Sequence, residues 1–218
     1  MFYSHCRGCE MARRPLTKPR KSASQARSRA TVEALVEATA RILVREGFDQ
    51  ASTNRIAAVA GVSVGSLYQY FPGKEALVAA VIERHQQAIM RTVRKELADV
   101  LAEPPARAIR TLVAAAVNAH RVDPKLHRVL AEQIPRVGPL EKLETFSREN
   151  FTLFRRYLER HRKEIGVRDL ELAAFICVTA IEALTHNAVL HQPGMLSDAA
   201  MAALIDEGAR LVTGYLAG

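Results

Sequence analysis

Residues 52–71 read STNRIAAVAGVSVGSLYQYF, and the fold can be worked out from this stretch. Ser52 is a preferred N-cap residue, and Gly61 is suited to end the first short helix. A second short helix follows the turn and carries Leu67 and Phe71 on its packing face. Two short helices that pack across a tight turn containing glycine predict a helix-turn-helix motif.

The outward face of the second short helix is polar. Hydroxyl and amide groups on such a face hydrogen-bond phosphates and base edges in a DNA groove. Gly65 has no side chain, so the backbone can come close to the groove. The pattern predicts DNA contacts from Ser63, Ser66, Tyr68, Gln69 and Tyr70.

The rest of the chain shows helical periodicity on both sides of this motif. Apolar residues recur three and four positions apart, and no alternating run of useful length predicts a strand. Gly and Pro residues divide the helices, which include a long one from Lys74 to Leu101. Two final helices are predicted at about residues 169–191 and 197–216. The sequence therefore predicts an all-α fold of about nine helices.

Positive charge is concentrated at the N-terminus. Residues 1–30 hold eight Lys/Arg and one Glu, a net charge of +7 in a chain whose total is +8. We interpret residues 1–27 as a disordered basic arm. Such an arm favours an anionic partner, with nucleic acid first and an anionic membrane surface second.

No stretch predicts a secretory signal or a membrane span. The most apolar stretch, 172–190, contains Glu182 and His186, which favours a buried helix over a spanning one. Three cysteines in 218 residues indicate a reducing compartment without a structural disulfide. We therefore expect a cytoplasmic protein with no membrane partner.

The two closing helices predict a self-association surface. The helix at 170–190 is apolar nearly all round, and a helix apolar on every side must be covered on every side. Small residues in the last helix allow close packing. We expect a homodimer interface built from Ile181, Leu184, Leu204 and Leu211. The alternative is that both helices form a purely intrachain core.

Catalytic and metal-binding patterns are absent from the sequence. His5 and the Cys6-x-x-Cys9 pair lack a second ligand pair at zinc-finger spacing, and no His-Glu-x-x-His motif occurs. The sequence thus predicts no enzyme activity, no metal and no cofactor. Glu182 and His186, four residues apart, form either a satisfied pair at the dimer interface or polar anchors in a ligand pocket. Candidate pocket neighbours are Asn150, Phe151 and Phe154.

Residues 28–90 resemble the DNA-binding domain of the tetracycline-repressor-like (TetR) family of bacterial regulators. The matching segments are Glu46-Gly47-Phe48, Ser52, Ile56-Ala57, Ala60-Gly61-Val62-Ser63, Gly65-Ser66-Leu67-Tyr68 and Tyr70-Phe71-Pro72-Gly73-Lys74-Glu75-Ala76-Leu77. The resemblance implies that a long helix joins this domain to a ligand-binding and dimerisation domain at residues 91–218.

The resemblance also implies roles for individual residues. Val64 departs from the Lys or Arg often found at its position and would contact a thymine methyl group. Ser52 and Thr53 would approach a phosphate, and Asn54 and Arg55 would reach the groove. The recognition helix would open with Ser63, Val64, Gly65 and Ser66, and the DNA backbone would be held by Tyr68, Gln69, Tyr70 and Lys74.

The function implied is that of a homodimeric repressor that a small-molecule ligand releases from a palindromic operator in double-stranded DNA. The alternative is a ligand-independent or architectural DNA-binding protein. A more distant rival is a small helical enzyme or carrier with a basic arm. Release of DNA by a metabolite would distinguish the ligand-released repressor from the ligand-independent DNA-binding protein.

Overall fold

The computed structural model describes residues 26–100, 102–137, 140–191 and 197–218, and over these ranges the regular secondary structure is helical. This confirms the predicted all-α fold. The described helices are α1 (Ala26–Glu46), α2 (Thr53–Ala60), α3 (Val64–Tyr70), α4 (Lys74–Val100), α5 (Pro105–Arg121), α6 (Pro124–Val137), α7 (Leu140–Arg160), a 3-10 turn (Arg162–Glu164), α8 (Leu170–His191) and α9 (Asp198–Ala217).

The N-terminal core is formed by α1, α2, α3, the first turns of α4 and one face of α6. Leu35, Ile56, Leu67 and Leu77 are fully or almost fully buried in it. Leu130 of α6 belongs to the same cluster, although it lies far along the chain from the helix-turn-helix. The DNA-binding unit is therefore packed onto a helix of the second half of the chain.

The C-terminal core is formed by α5, α7, α8 and α9. Ile109, Leu158, Ala173 and Met201 are buried at its centre. Tyr157 is also fully buried, and its hydroxyl donates to the Glu103 carbonyl at 2.9 Å. This core forms one wall of the cavity described below.

Helix α4 connects the two cores without a break. Its 27 residues span about 40 Å at 1.5 Å per residue, and it packs against α1, α5, α6 and α7. The boundary that we predicted at residue 90 lies inside this helix. The division at residue 90 therefore stays an interpretation.

Several sequence predictions lie outside the described residues. The basic arm is one of them, except for its last two residues, and His5, Cys6 and Cys9 lie within that arm. Within the described ranges, Leu170–Leu190 is long and apolar enough to cross a membrane. However, Ala173, Ala174 and Cys177 pack into the C-terminal core, so this helix is a core element of the domain.

Candidate functional site

The helix-turn-helix forms because its caps and its turn are encoded locally. The Ser52 hydroxyl accepts the Arg55 amide at 3.2 Å and caps α2. Gly61 ends α2 in the left-handed region with φ 68°, which glycine adopts without steric cost. The Ser63 hydroxyl then accepts the Ser66 amide at 3.1 Å and starts α3. These contacts set the angle between the two helices.

One face of α3 is exposed, and Gly65 lies on it. A Cβ built at Gly65 would meet only the Ser63 hydroxyl, at 3.9 Å, and its φ is not positive. At a backbone position that alanine can adopt, glycine costs about 0.4–1 kcal/mol relative to alanine, because its unfolded state has more freedom to lose. No contact among the described residues therefore requires glycine here, and the backbone of α3 is accessible at this position.

Tyr68 and Thr53 form a polar pair between α2 and α3. The Tyr68 side chain is 42% exposed, and its hydroxyl lies 3.1 Å from the Thr53 hydroxyl. Gln69 and Asn54 are also exposed on these two helices. The structure thus places several of the predicted DNA contacts on one accessible surface.

Three of the predicted DNA contacts also pack or hydrogen-bond within the N-terminal domain. Val64 is half-buried against the N-terminal core, so it is less available to a base edge than Gly65. Tyr70 is buried in that core. The Lys74 ammonium donates to the Phe48 carbonyl at 3.1 Å and lies 4.2 Å from the centre of the Phe48 ring. Lys74 therefore ties α4 to the loop after α1.

Arg55 has an ion-pair partner within the domain. One of its guanidinium nitrogens lies 3.1 Å from a carboxylate oxygen of Glu46, and both side chains are partly exposed to solvent. Exposed pairs of this kind contribute about 0–1 kcal/mol, so a phosphate can compete for the arginine. Arg55 is accordingly retained as a predicted groove contact.

A cavity of about 400 Å³ lies between the two cores and brings together four of the five predicted pocket residues. Asn150, Phe154, Glu182 and His186 line it, whereas Phe151 does not and packs against the C-terminal core. Most of the wall is apolar, and α4, α5, α6, α7 and α8 all contribute to it. Such a mixture is typical of a small-molecule site.

The acidic group of the cavity is held by a neighbouring amide. The Asn150 side-chain nitrogen lies 3.4 Å from a Glu182 carboxylate oxygen and donates to it. Desolvation by the surrounding helices raises the pKa of Glu182, and the Asn150 hydrogen bond opposes that rise. Glu182 and Asn150 therefore form a polar anchor in a largely apolar wall.

Four histidines from four helices meet at one end of the cavity. His127 of α6 lies 2.9 Å from His85 of α4 through one ring nitrogen and 2.9 Å from His186 of α8 through the other. His120 of α5 packs edge-on against His127, with ring centres 4.8 Å apart. The sequence did not reveal this cluster, because its members follow no common spacing.

Three histidines of the cluster have lowered pKa values. Burial, followed by the neighbouring imidazoles, lowers the pKa of His85 to about 4 and that of His127 to about 3. Burial also lowers the pKa of His120. Lowered pKa values favour the neutral imidazole, which can donate and accept hydrogen bonds or act as a metal ligand.

The predicted dimer-interface residues are divided between the interior and the surface. Ile181 is only 8% exposed and lines the cavity, so it is not available to a second chain. Leu184 and Leu204 are half-buried, and Leu211 is exposed. The exposed apolar surface of α8 is instead formed by Leu172, Phe175 and Ile176.

These features together define an all-helical helix-turn-helix DNA-binding protein with a cavity beside its DNA-binding unit. The chain belongs to the TetR family. A family profile described as "Bacterial regulatory proteins, tetR family" matches residues 35–81, and one described as "Tetracyclin repressor-like, C-terminal domain" matches residues 104–216. The chain is thus a DNA-binding transcriptional regulator, of a family that is generally non-enzymatic.

Similar proteins include regulators of several kinds. "Nucleoid occlusion factor SlmA" of Haemophilus ducreyi is 29% identical over 120 residues, which are 53% of this chain and 55% of that protein. The chain thus spans about half the length of this curated relative. A putative transcriptional regulator from Pseudomonas aeruginosa PAO1 superposes with a TM-score of 0.69 at 25% identity, over 86% of this chain and 90% of that chain.

A further solved structure shares the fold alone. The fatty acid degradation regulator FadR from Bacillus halodurans superposes with a TM-score of 0.65 at 20% identity. The superposition covers 85% of this chain and 96% of that one. Similarity at this level extends the fold assignment to the C-terminal helices.

Proposed function

We propose that this protein is a homodimeric, cytoplasmic repressor that binds a palindromic operator and is released from it by a small molecule. The observation that carries the proposal is the exposed, unobstructed Gly65 on the polar face of α3. Each subunit would place one α3 in the major groove, and the dimer would space the two about 34–36 Å apart.

Base contacts would come from the start of α3. Gly65 brings the helix backbone close to the groove floor, and the exposed Gln69 lies one turn further on. An amide side chain reads adenine through two hydrogen bonds, whereas the pair of Tyr68 and Thr53 would hold a phosphate. Phosphates look alike at every sequence, so the pair positions the helix without specifying a base.

Release by a ligand is supported by the course of α4. This helix begins beside the helix-turn-helix, where Lys74 holds the Phe48 carbonyl. Further along, Ile89, Met90 and Val93 of the same helix line the cavity. A ligand that binds better to a shifted position of α4 would lower DNA affinity, and DNA would lower ligand affinity by the same factor.

The ligand chemistry follows from the cavity wall. The volume of about 400 Å³ and the largely apolar lining suit an organic molecule with an apolar body. Asn150 and Glu182 would orient a polar group at one side of that body. Phe154 and Ile181 would contact its apolar part.

The alternative function is that of a ligand-independent DNA-binding protein. Its specific support is the similarity to SlmA, whose name describes a nucleoid occlusion factor rather than a metabolite sensor. This alternative predicts the same DNA interface. It also predicts that occupation of the cavity leaves DNA affinity unchanged.

The decisive experiment is operator selection from random double-stranded DNA with the full-length chain, followed by a metabolite screen for release. We expect a palindromic consensus and at least one apolar ligand that lowers operator affinity about tenfold or more, in the usual range of allosteric coupling. The variant Asn150→Ala, at a half-buried position of the cavity wall, should weaken release while leaving operator affinity without ligand unchanged.

Two results would count against the repressor. Failure to enrich any DNA sequence would contradict the proposed binding to a specific operator. Enrichment of a palindrome without release by any compound that binds the cavity would favour the ligand-independent alternative.

A further inference from the structure

We propose that His120, His127 and His186 form a binding site for a divalent transition metal ion, with Zn²⁺ as the reference ion. One ring nitrogen from each histidine lies within 4.8 Å of the other two. The three histidines line the same cavity as the Asn150–Glu182 anchor, and they lie outside the helix-turn-helix. The proposal does not rest on the repressor function.

The distances between ring nitrogens match a metal centre. Zn–N bonds of 2.0–2.1 Å in a tetrahedral site require nitrogens about 3.3 Å apart. The nearest pair here, on His127 and His186, is 2.9 Å apart, and the largest separation in the trio is 4.8 Å. Side-chain movements of about 1.5 Å therefore bring the three nitrogens to bonding distance of one ion.

The ring of His120 is already oriented as a ligand. Its Nδ1 lies 2.7 Å from the Ala116 carbonyl, which can only accept a hydrogen bond. Nδ1 therefore carries the proton, and Nε2 keeps its lone pair for a metal. A hydrogen bond from the second ring nitrogen to a backbone carbonyl is typical of metal-bound histidine.

His85 acts as a positioning residue for His127. The Nε2 of His85 lies 2.9 Å from the Nδ1 of His127, on the side of the ring away from His186. When His127 binds a metal through Nε2, its Nδ1 donates to His85. The cluster thus contains ligands from α5, α6 and α8 and an orienting partner from α4.

The ligand type selects the class of ion. Three imidazoles favour Zn²⁺, Cu²⁺, Ni²⁺ or Co²⁺ over Mg²⁺ or Ca²⁺, which prefer oxygen ligands. Because His120, His127 and His186 all line the cavity, a fourth coordination position is open to water or to a ligand. Three protein ligands with one open position are a common zinc arrangement.

The test uses the full-length chain with the substitutions Cys6→Ser and Cys9→Ser, which remove the thiols of the N-terminal arm. Metal-free protein is titrated with Co²⁺ and then with Zn²⁺, under visible absorption and equilibrium dialysis with elemental analysis. We expect one Co²⁺ per chain with tetrahedral d–d bands and no thiolate band, and we expect Zn²⁺ to displace it.

Four variants separate ligands from other histidines. His120→Asn and His186→Asn should each abolish the Co²⁺ spectrum, and both positions are half-buried, so the fold should tolerate them. His85→Asn should keep the spectrum while weakening affinity about 10–100-fold, as expected for an orienting partner. His161→Asn is the matched control, because His161 interacts with Glu164 away from the cluster, and it should bind as the parent does.

The proposal is overturned if the parent binds no stoichiometric Co²⁺ or Zn²⁺ at micromolar concentration. It is also overturned if His120→Asn and His186→Asn, with unchanged circular dichroism, keep the parental spectrum and affinity. The readouts are independent of DNA, so a failed operator selection leaves this test intact.

Discussion

At the scale of single residues, the proposed DNA interface rests on Gly65, which no contact among the described residues requires. Gly61 adopts a left-handed conformation and ends α2, so its lack of a side chain is explained within the chain. Gly65 has neither a positive φ nor a close neighbour. The two glycines lie four residues apart, yet only Gly61 is required by the backbone.

The substitution Gly65→Ala should change stability and DNA binding in opposite directions. Alanine restricts the unfolded chain more than glycine does, which stabilises the fold by about 0.4–1 kcal/mol, so the unfolding midpoint should rise. The added methyl group should separate α3 from the groove and lower operator affinity about tenfold, or about 1.4 kcal/mol. Urea unfolding and fluorescence anisotropy on one preparation measure both effects. Unchanged operator affinity would show that Gly65 does not lie against DNA.

Substitution of Tyr68 tests whether its hydroxyl contacts a phosphate, which positions α3, or a base, which gives sequence specificity. Removing its hydroxyl in Tyr68→Phe deletes one hydrogen bond, worth about 1 kcal/mol, and leaves the ring in place. If that hydroxyl holds a phosphate, operator and scrambled DNA should both be bound about fivefold more weakly at a fixed salt concentration. Gln69→Ala is the comparison, because it should weaken the operator more than scrambled DNA. A purely operator-specific loss in Tyr68→Phe would assign the hydroxyl to a base.

At the scale of helices, the sequence predicted those features that neighbouring residues determine. The cap at Ser52 and the end of α2 at Gly61 depend only on residues a few positions away, and the structure has both. The half-buried position of Val64 depends on packing against other helices. Lys74 turns inward because the Phe48 carbonyl and ring lie beside it, 26 residues earlier in the chain.

The histidine cluster illustrates the same limit at longer range. His85, His120, His127 and His186 belong to four helices, and the sequence around each histidine contains no metal-ligand motif. Only the packing of α6 against α4, α5 and α8 brings them together. Local periodicity predicts each helix and its apolar face, but it carries no information about which helices meet.

The C-terminal end of α9 is locked by a backbone contact at Gly166. The Gly166 amide donates to the Leu216 carbonyl at 2.8 Å, and a Cβ at Gly166 would collide with the Ala217 carbonyl oxygen. Gly166→Ala should therefore lower stability by about 1–3 kcal/mol, the usual cost of overpacking. Urea unfolding at a fixed protein concentration measures it. The matched control is Gly65→Ala, where the added methyl group has open space and stability should rise.

If Gly166→Ala and Gly65→Ala change stability in the same direction, the proposed role of the Gly166 contact with α9 is contradicted. Such a result would mean that the end of α9 moves aside at little cost. Because α9 packs mainly on α5, such mobility would leave α5 as its main support.

At the scale of the whole molecule, the apolar surface that remains uncovered points to a second chain. Helix α8 is apolar nearly all round, so composition could not tell which of its faces turns inward. The structure assigns Ile181 to the cavity and leaves Phe175 58% exposed, beside the exposed Leu172 and Ile176. Contiguous exposed apolar side chains of this kind mark interaction sites. In the proposed dimer, this face of α8 and Leu211 of α9 would be covered by the partner subunit.

The substitution Phe175→Asp should separate dimerisation from folding. In one chain the side chain faces solvent, so a carboxylate there should leave the circular dichroism and the unfolding of the monomer nearly unchanged. In the dimer it would be an unpaired charge in an apolar interface, which costs several kcal/mol. Sedimentation should then show monomers, and operator affinity should fall by 100-fold or more, on the order of the avidity gained from two linked sites. Val122→Asp is the matched control, because Val122 is 81% exposed and lies on neither α8 nor α9, so that variant should remain dimeric with parental operator affinity. A Phe175→Asp variant that stays dimeric and binds the operator as the parent does would move the interface away from this face of α8.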